Sequence, residues 1–321
     1  MKITKKVADS TLAYFVNQLD SFDATLHQPL MAVSWGRDVQ LRGNVSLANE
    51  STSFTRSNFG AGGTQNSNLT NAPAKPFISP SSTALPGVAV NGERVVTPLR
   101  PLARELAYSF IDLQRSQLLG VGIDVQQMEA LKMQYQLETD AMVYIGDTSV
   151  GAEGMLNSSL VTAANVAAGV GGTTWALKTP DEILADVNTM LSASWLASGY
   201  AVCPAELRLP PTQYGLIATK KVSDAGNVSI LSYIAENSIC NRINGKPLNI
   251  QPLKWLSGRG ASSTDRMMCY TNDLNYLRFP LVPLQRQTAY YKGIHFLCPY
   301  VYGFGEMEFV YPETVRYADG I

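Results

Sequence analysis

The stretch Asp124–Gly146, DVQQMEALKMQYQLETDAMVYIG, decides the fold of this chain. It predicts one long helix, because Asp124 can cap the first turn and Gln127, three residues on, completes a capping-box pattern. Gly146 stands where helices commonly end through a left-handed residue. About 22 residues in a helix would span roughly 33 Å at about 1.5 Å per residue.

The predicted helix carries two apolar stripes, the first of them broken by Glu138. A helix on the outside of a globular protein needs only one apolar face. We therefore expect this helix to pack along a sheet and also to meet a second surface, which is either the protein's own core or a neighbouring subunit. The stripes are Met128, Leu131, Tyr135, Met142 and Ile145, and Ala130, Met133, Leu137, Ala141 and Tyr144.

Length and composition bound the class of protein. With 321 residues, 45% of them hydrophobic, the chain can bury a substantial core and is expected to form two domains. Only 16% of its residues are charged and the net charge is −1, so electrostatic repulsion between copies of the chain is weak. Weak repulsion suits a subunit that assembles with copies of itself. No basic run is present to follow nucleic-acid phosphates, so sequence-specific DNA binding is not expected.

The four cysteines lie far apart in the sequence and form no CxxC pair, which argues against a zinc site and against a redox pair. We expect four buried thiols in a reducing cytoplasm: Cys203, Cys240, Cys269 and Cys298. The chain also has no apolar region typical of a signal peptide and no run long enough to cross a membrane.

The first ninety residues differ in character from the rest. Residues 1–42 are interpreted as an arm, with a short helix over Val7–Leu19 and an extended path through His27, Pro29 and Trp35. Residues 43–92 are rich in Asn, Ser, Thr, Gly, Ala and Pro, yet alternating apolar residues remain at both ends. We predict a long two-stranded excursion with an irregular tip around Gly60–Pro86, which needs partners for stability. The alternative is a disordered surface insertion.

After the long helix, a second helix is predicted from the cap Thr179 to a stop at Gly199, with Pro180 and Glu182 in its first turn. Further strands and short helices alternate through the remainder. They include a strand at Tyr200–Cys203, a helix through Tyr214 and Ile217, strands at Leu248–Leu253 and Met267–Tyr270, and a half-exposed strand at Glu306–Tyr311.

Catalytic chemistry has no support in the sequence. Of the two histidines, His27 and His295, the second lies in an aromatic run and is predicted to be a hydrogen-bonded core residue. Glycine-rich stretches at Gly120 and Gly169 lack the residues of a dinucleotide or phosphate loop. Glu306 and Glu308 could bind a cation from one strand face, but surface solvation explains them more simply. No catalytic, cofactor-binding or metal-binding residue is assigned.

The order of these parts resembles a known family. Residues 144–147 (YIGD), Gly151 and residues 154–157 (GMLN) follow the long helix, and the chain ends with residues 303–305 (GFG), 311–313 (YPE) and 317–321 (YADGI). This order resembles the major capsid protein of tailed bacteriophages, which has the Hong Kong 97-type fold. The resemblance covers most of the chain after Val95, with Met155 replacing the first leucine of the family's G-L-L-N motif.

The resemblance implies an α+β subunit with four parts and a structural function. Copies would form hexamers and pentamers of an icosahedral head around double-stranded DNA, assembled in the bacterial cytoplasm with scaffolding and portal proteins and with a possible cement protein. The parts would be an N-terminal arm (1–42), an extended loop (43–107), a peripheral domain with the long "spine" helix (108–178 and 285–311), and an axial domain (179–284 and 312–321).

Some family members join subunits through a Lys–Asn isopeptide bond. Here Lys75 is the only lysine of the extended loop and no asparagine follows Asn275, so we expect non-covalent locking. Removal of an N-terminal scaffolding segment is not expected either. The residues expected to contact neighbouring subunits are Phe54, Arg56, Phe59, Lys75, Arg94 and Glu138.

Three alternatives stay open at this point. An encapsulin-type compartment would have the same fold and hold cargo protein. A β-rich tail or adhesin protein of a phage would lack the long helix. An enzyme with an unrecognised site would depend on His27 or His295.

Overall fold

The long helix predicted at the centre of the chain is present in the computed structural model, which describes residues 31–61, 80, 88–111, 114, 123–223 and 226–321. The predicted Val7–Leu19 helix, His27, Lys75 and nearly all of the predicted hairpin tip lie outside these residues. The helices are α1 (Trp35–Asp38), α2 (Ile123–Tyr144), α3 (Pro180–Ala197), α4 (Pro211–Thr219), α5 (Ile230–Asn237) and α6 (Ile239–Asn244).

Fifteen strands accompany these helices in the described part of the chain. Most are short, and five of them have ten or eleven residues and carry most of the pairing. They are β1 (Leu41–Arg42), β2 (Ser51–Ala61), β3 (Val88–Pro98), β4 (Arg100–Ser109), β5 (Gly146–Asp147), β6 (Ala152–Glu153), β7 (Ala163–Asn165), β8 (Glu206–Leu209), β9 (Asn249–Pro252), β10 (Arg266–Tyr270), β11 (Leu277–Arg286), β12 (Tyr290–Lys292), β13 (His295–Phe304), β14 (Glu308–Phe309) and β15 (Arg316–Asp319).

Two sheets organise the described residues. The six-stranded sheet has the order β1-β11-β13-β12, with β14 on β11 and β4 on β13. Its longest pairing is antiparallel, between β13 and β4 from His295↔Ser109 to Phe304↔Arg100. The five-stranded sheet has the order β7-β15-β10-β8-β9 and mixes parallel and antiparallel pairs. The last residues of the predicted extended loop, which reaches 107, therefore pair within the six-stranded sheet.

Two buried cores lie against the sheets, and strand β10 of the five-stranded sheet contributes to both of them, with Met268 and Tyr270 in one and Met267 and Cys269 in the other. The C-terminal half of α2 packs on the six-stranded sheet, where Tyr135 contacts Tyr302 edge to face at 5.2 Å. The five-stranded sheet is covered by α3, which buries Ile183, Val187 and Leu191. Helix α3 begins as predicted, because Thr179 and Glu182 form a capping box and Pro180 occupies the first turn.

Helix α2 buries one apolar stripe more deeply than the other. On the first stripe Leu131 and Tyr135 are buried, whereas on the second only Tyr144 is buried, Ala130 is exposed, and Met133 and Leu137 are half-exposed. The helix ends as predicted at Gly146, whose φ is +73°. The predicted cap is wrong, because the chain is already helical at Ile123 and Asp124 lies inside the first turn.

Strands β2 and β3 confirm the predicted two-stranded excursion. They pair antiparallel from Ser51↔Pro98 to Ala61↔Val88 and form a sheet of two strands only. The chain then crosses into β4 at Leu99, whose N–H donates to Glu50 O at 2.9 Å. The hairpin is therefore covalently continuous with the six-stranded sheet but is not hydrogen-bonded into its ladder.

Three local predictions are corrected. The segment Tyr200–Cys203 contains no strand, and the strand lies at Glu206–Leu209 instead. Trp35 begins the short helix α1 rather than an extended path. The segment Glu306–Tyr311 has only two strand residues, and Glu308 is 1% exposed instead of half-exposed.

The expectation of four free thiols is also wrong. Cys203 and Cys240 form a disulfide with their Cα atoms 5.6 Å apart, whereas Cys269 and Cys298 are buried free thiols. The fold brings the first pair together because α6 packs beside the segment that follows α3, in one core. Burial raises the pKa of the Cys269 thiol to about 12, so this thiol stays protonated and unreactive at neutral pH.

Reduction of this disulfide is expected to destabilise the chain. The two bonded cysteines are 37 residues apart in the sequence. Loss of the bond raises the entropy of the unfolded chain and should lower the free energy of unfolding by at least ~2 kcal/mol. The check is the melting temperature with and without a thiol reductant, with Cys203→Ser as the variant that no longer responds. A Cys203→Ser melting temperature equal to that of the oxidised protein would contradict the expectation.

Candidate functional site

The root of the β2–β3 hairpin is fastened to the body of the subunit by a buried carboxylate. Glu308 Oε1 accepts from Arg42 Nη1 at 2.5 Å and from Thr52 Oγ1 at 2.7 Å, and its Oε2 accepts from Arg278 Nε at 2.7 Å. Both arginine side chains are about one quarter exposed, at 24% and 23%. The sequence reading of Glu308 as a solvated surface residue is therefore wrong, because two guanidinium groups compensate its burial.

Two of the predicted contact residues lie at this root. The guanidinium carbons of Arg56 and Arg278 lie 5.5 and 5.6 Å from the centroid of the Phe54 ring, and Arg56 Nη2 donates to Phe309 O at 2.6 Å. A cavity of about 150 Å³ opens beside them. Arg56 Nε is buried without a hydrogen-bond partner there, so the root retains one unused donor.

The other predicted contacts are spread over the subunit. Arg94 lies on the exposed part of the hairpin and donates to Ser53 Oγ at 3.1 Å. The backbone of Phe59 pairs with Val90 near the distal end of β2. Glu138 lies on α2, far along the chain from both. Among the predicted contact residues that the structure describes, only Phe54 and Arg56 are therefore grouped, and Phe59, Arg94 and Glu138 stay separate candidates.

Glu138 ties α2 to the six-stranded sheet. Its carboxylate accepts from Tyr302 Oη at 2.5 Å, from Gln134 Nε2 at 2.9 Å and from Arg104. Partial burial raises the pKa of Glu138, but the hydrogen bonds from Tyr302, Gln134 and Arg104 outweigh it and the pKa is lowered overall. Burial together with the bond to Glu138 raises the pKa of the Tyr302 hydroxyl.

Glu138→Gln is therefore expected to destabilise the protein at neutral pH and not in acid. A carboxyl group with a lowered folded pKa stabilises the fold above its ordinary pKa of about 4.3, and this contribution is lost as the pH falls through the folded value. Urea unfolding at pH 7 and near the acid limit of folding checks the expectation, with the exposed Glu50→Gln as control. An equal loss of unfolding free energy in Glu138→Gln at both pH values would contradict this expectation.

The segment after α2 explains the glycine-rich motif of residues 144–157. Asn157 Nδ2 donates to Ile145 O at 2.9 Å and Asn157 Oδ1 accepts from Gly154 N at 2.8 Å, so this side chain satisfies groups at the end of the helix. A Cβ on Gly154 would lie 2.5 Å from the carbonyl of Tyr144. The motif is thus a tight return of the chain over the end of α2.

A junction of buried charges joins the described part of the arm to α2 and to the five-stranded sheet. Asp38 is fully buried and accepts from Arg208 Nε at 2.9 Å, Arg37 Nε at 2.6 Å and Tyr144 Oη at 2.5 Å. Asp140 of α2 accepts from the backbone N–H groups of Ser34 and Trp35, and from Trp255 Nε1 at 2.7 Å. Sequence reasoning missed both clusters, because each links chain segments that lie more than a hundred residues apart.

The described residues offer little for catalysis. His295, predicted to be a core histidine, is exposed at the start of β13, which corrects that prediction. Within the described ranges no group of three or more His, Cys, Asp or Glu side chains is placed to hold a metal ion. Across those ranges, too, no helix combines the length and the hydropathy required to cross a membrane.

Comparison with known proteins identifies the family. A family model described as Major capsid protein matches residues 74–321. The structure is similar to the capsid of Myoviridae phage XM1, with a TM-score of 0.74, 16% identity, and coverage of 95% of this chain and 98% of that chain. It is also similar to the capsid of an empty GTA particle, with a TM-score of 0.56, 14% identity, and coverage of 98% and 99%.

A structure from Mycobacterium phage Bobi matches with a TM-score of 0.58 and 10% identity, over 97% of this chain and 99% of that chain. No curated protein matches the sequence. At such low identities the structural likeness establishes the fold, and the family model establishes the membership. The chain belongs to the major capsid protein family and has the Hong Kong 97-type fold of tailed-phage capsids.

Proposed function

We propose that copies of this chain assemble as hexamers and pentamers into an icosahedral phage head that encloses double-stranded DNA. The observation that carries the proposal is the β2–β3 hairpin, whose eleven-residue strands pair only with each other within the described chain. An isolated two-stranded hairpin is marginal in water. Its stability is explained if it lies across a neighbouring copy in the shell.

The proposed parts of the subunit follow the family. Residues 1–42 are the arm, 43–107 the extended loop, 108–178 and 285–311 the peripheral domain, and 179–284 with 312–321 the axial domain. The described end of the arm packs against its own subunit, since Tyr270 Oη donates to Asp38 O at 2.9 Å. In our proposal the arm reaches neighbouring copies only through residues that precede this anchor.

The proposed contacts with neighbouring copies are Phe54, Arg56, Phe59, Lys75, Arg94 and Glu138. Arg56 has an unused buried Nε–H, which would donate to a carbonyl or carboxylate oxygen of a neighbouring copy. Glu138 and Arg104 satisfy each other within one copy, so a contact through Glu138 would extend an existing pair. Scaffolding and portal proteins, and a cement protein, are further proposed partners in the bacterial cytoplasm.

The nearly neutral net charge of −1 suits a shell wall that encloses DNA without binding its phosphates strongly. Repetition of modest contacts over a closed lattice would make the particle hard to dissociate. The presence of α2 argues against the tail or adhesin alternative, which would lack such a helix.

Negative-stain electron microscopy of the purified full-length protein tests the proposal. Closed isometric shells are the expected result. Open tubes would favour a tail-type assembly, and small particles that remain single at high concentration would overturn the proposed function. DNA-filled heads from infected cells would distinguish a phage head from a compartment that holds cargo protein.

The shell is expected to hold together without covalent links between subunits. The chain offers few partners for an isopeptide bond, since Lys75 is the only lysine between residues 43 and 107 and no asparagine follows Asn275. Boiled particles should therefore run as a single band at 34.9 kDa on a reducing SDS gel. A ladder of high-mass species under reducing conditions would contradict this expectation.

A further inference from the structure

A short glycine hairpin places one valine entirely in solvent. Gly169 and Gly172 pair with each other, with N–O distances of 2.8 and 3.3 Å, and Val170 between them is 99% exposed. Leu177, farther along the same loop, is 61% exposed. We refer to residues 167–178 as the Val170 hairpin. Single exposed apolar residues are common and need no explanation by themselves.

The Val170 hairpin differs from an ordinary loop in how firmly its base is held. Trp175 is fully buried and donates to Asp186 Oδ2 at 3.0 Å, and the buried Lys178 Nζ donates to the same oxygen at 2.5 Å. Glu182 Oε1 accepts the N–H of Val170 at 3.0 Å. Buried polar groups thus fix a loop whose tip presents an apolar side chain to water, which is an arrangement suited to insertion into a partner.

A recess that matches this tip lies at the start of α2. It has a volume of about 500 Å³ and is lined largely by apolar and aromatic side chains, among them Met128, Phe296 and Tyr300, with the basic groups of Lys132 and Arg286 in its wall. Val125 at its edge is 57% exposed. We refer to this recess as the α2 groove. It is large enough for several aliphatic side chains.

The charges of the two surfaces are complementary. The carboxylate of Glu182 lies next to Val170, and Lys132 and Arg286 lie in the groove wall, beside a single acidic lining residue, Glu129. An apolar tip with an acidic neighbour therefore matches an apolar groove with a basic wall. Within one copy the two do not meet, since Val170 is 99% exposed.

We propose that the Val170 hairpin of one copy inserts into the α2 groove of a second copy. The inference rests on the proposed self-assembly and adds which surfaces meet. The two surfaces are different, so the contact is head-to-tail, and such contacts close into rings when the rotation between copies allows it. Each copy would then give its hairpin to one neighbour and receive the hairpin of another.

Cysteine cross-linking tests the contact in assembled particles. The variant with Val170→Cys and Val125→Cys should form a ladder of disulfide-linked multimers on a non-reducing gel after mild oxidation, and the ladder should collapse with reductant. All variants carry Cys298→Ser, because the free thiol of Cys298 lines the groove and would itself react with the cysteine at position 170. Matched controls are each single variant and Val170→Cys combined with Val228→Cys, because Val228 is 49% exposed and does not line the groove. A ladder no stronger than in the Val228 control would overturn the proposal.

A second variant addresses the energetic importance of the contact. Val170→Asp should leave the circular dichroism spectrum of the subunit unchanged, since its side chain touches nothing in one copy, and should reduce the yield of closed shells at least tenfold. Undiminished shells would overturn the inserted contact and leave the proposed function standing. Failure of the unmodified protein to form shells would instead overturn the proposed function itself.

Discussion

Asp38→Ala is expected to lower the free energy of unfolding by about 3–5 kcal/mol, because it leaves Arg208 as a buried cation without its central partner. Arg208 is fully buried, its Nε lies 2.9 Å from Asp38 Oδ1, and Glu206 remains as its other acidic partner. Tyr144 loses an acceptor in the same step. The truncation therefore removes several charge-assisted bonds at a site that water does not reach.

Urea unfolding of the full-length subunit, followed by circular dichroism, measures this effect. Glu50→Ala removes an equal charge from an exposed position and should change the free energy of unfolding by less than about 0.5 kcal/mol. Asp38→Asn keeps the shape of the side chain and should give an intermediate loss. A loss below ~1 kcal/mol for Asp38→Ala would show that the junction of the arm contributes little to the fold.

Gly146→Ala is expected to lower the free energy of unfolding by roughly 2–5 kcal/mol. Alanine is disfavoured in the left-handed backbone conformation of this position, and its Cβ would also overlap neighbouring atoms. The φ of Gly146 is +73°, and a Cβ there would lie 2.2 Å from Ala152 O and 2.8 Å from the carbonyl carbon of Glu153. Both neighbours are backbone atoms, so they cannot rotate away as a side chain could. The return of the chain over the end of α2 would have to open.

Gly151→Ala is the matched control for this prediction. The φ of Gly151 is +68°, nearly that of Gly146, but its Cβ would meet no atom within 4 Å. It should therefore cost only the conformational penalty of about 1–2 kcal/mol. The difference between the two variants in urea unfolding isolates the contact with β6. Equal losses for both variants would contradict the steric argument.

Asp38 and Gly146 both stabilise the interior of a single capsid subunit. Asp38 fixes the described end of the arm between α2 and the five-stranded sheet, and Gly146 lets the chain turn back at the end of α2. Neither position lies on the surfaces proposed to contact other copies. Their substitution should therefore reduce shell yield through folding, whereas Val170→Asp should reduce it with folding intact.

Local signals in the sequence were sufficient for the helices. The capping box at Thr179, the left-handed stop at Gly146 and the apolar stripe of Leu131 and Tyr135 are all confirmed, because each depends on residues within a few turns of each other. The order of motifs after α2 was also sufficient to identify the family. The hairpin strands β2 and β3 were found from their alternation at either end of a polar stretch.

The burial of charges was decided only by the tertiary structure. Glu308 reads as a surface residue in the sequence, yet Arg42 and Arg278 arrive from distant segments and compensate it. Cys203 and Cys240 read as separate thiols until the packing of α6 brings their Cα atoms to 5.6 Å. Such pairs depend on where chain segments meet, which no local pattern encodes.

The sequence alone determined the long helix, its stop, the hairpin and the family, since backbone propensity and periodicity act over short distances along the chain. The tertiary structure decided which carboxylates are buried and which apolar side chains stay in water. Val170 shows the difference most clearly. Its exposure follows from the Val170 hairpin, which is held in place by hydrogen bonds to Asp186 and Glu182, and not from any property of valine.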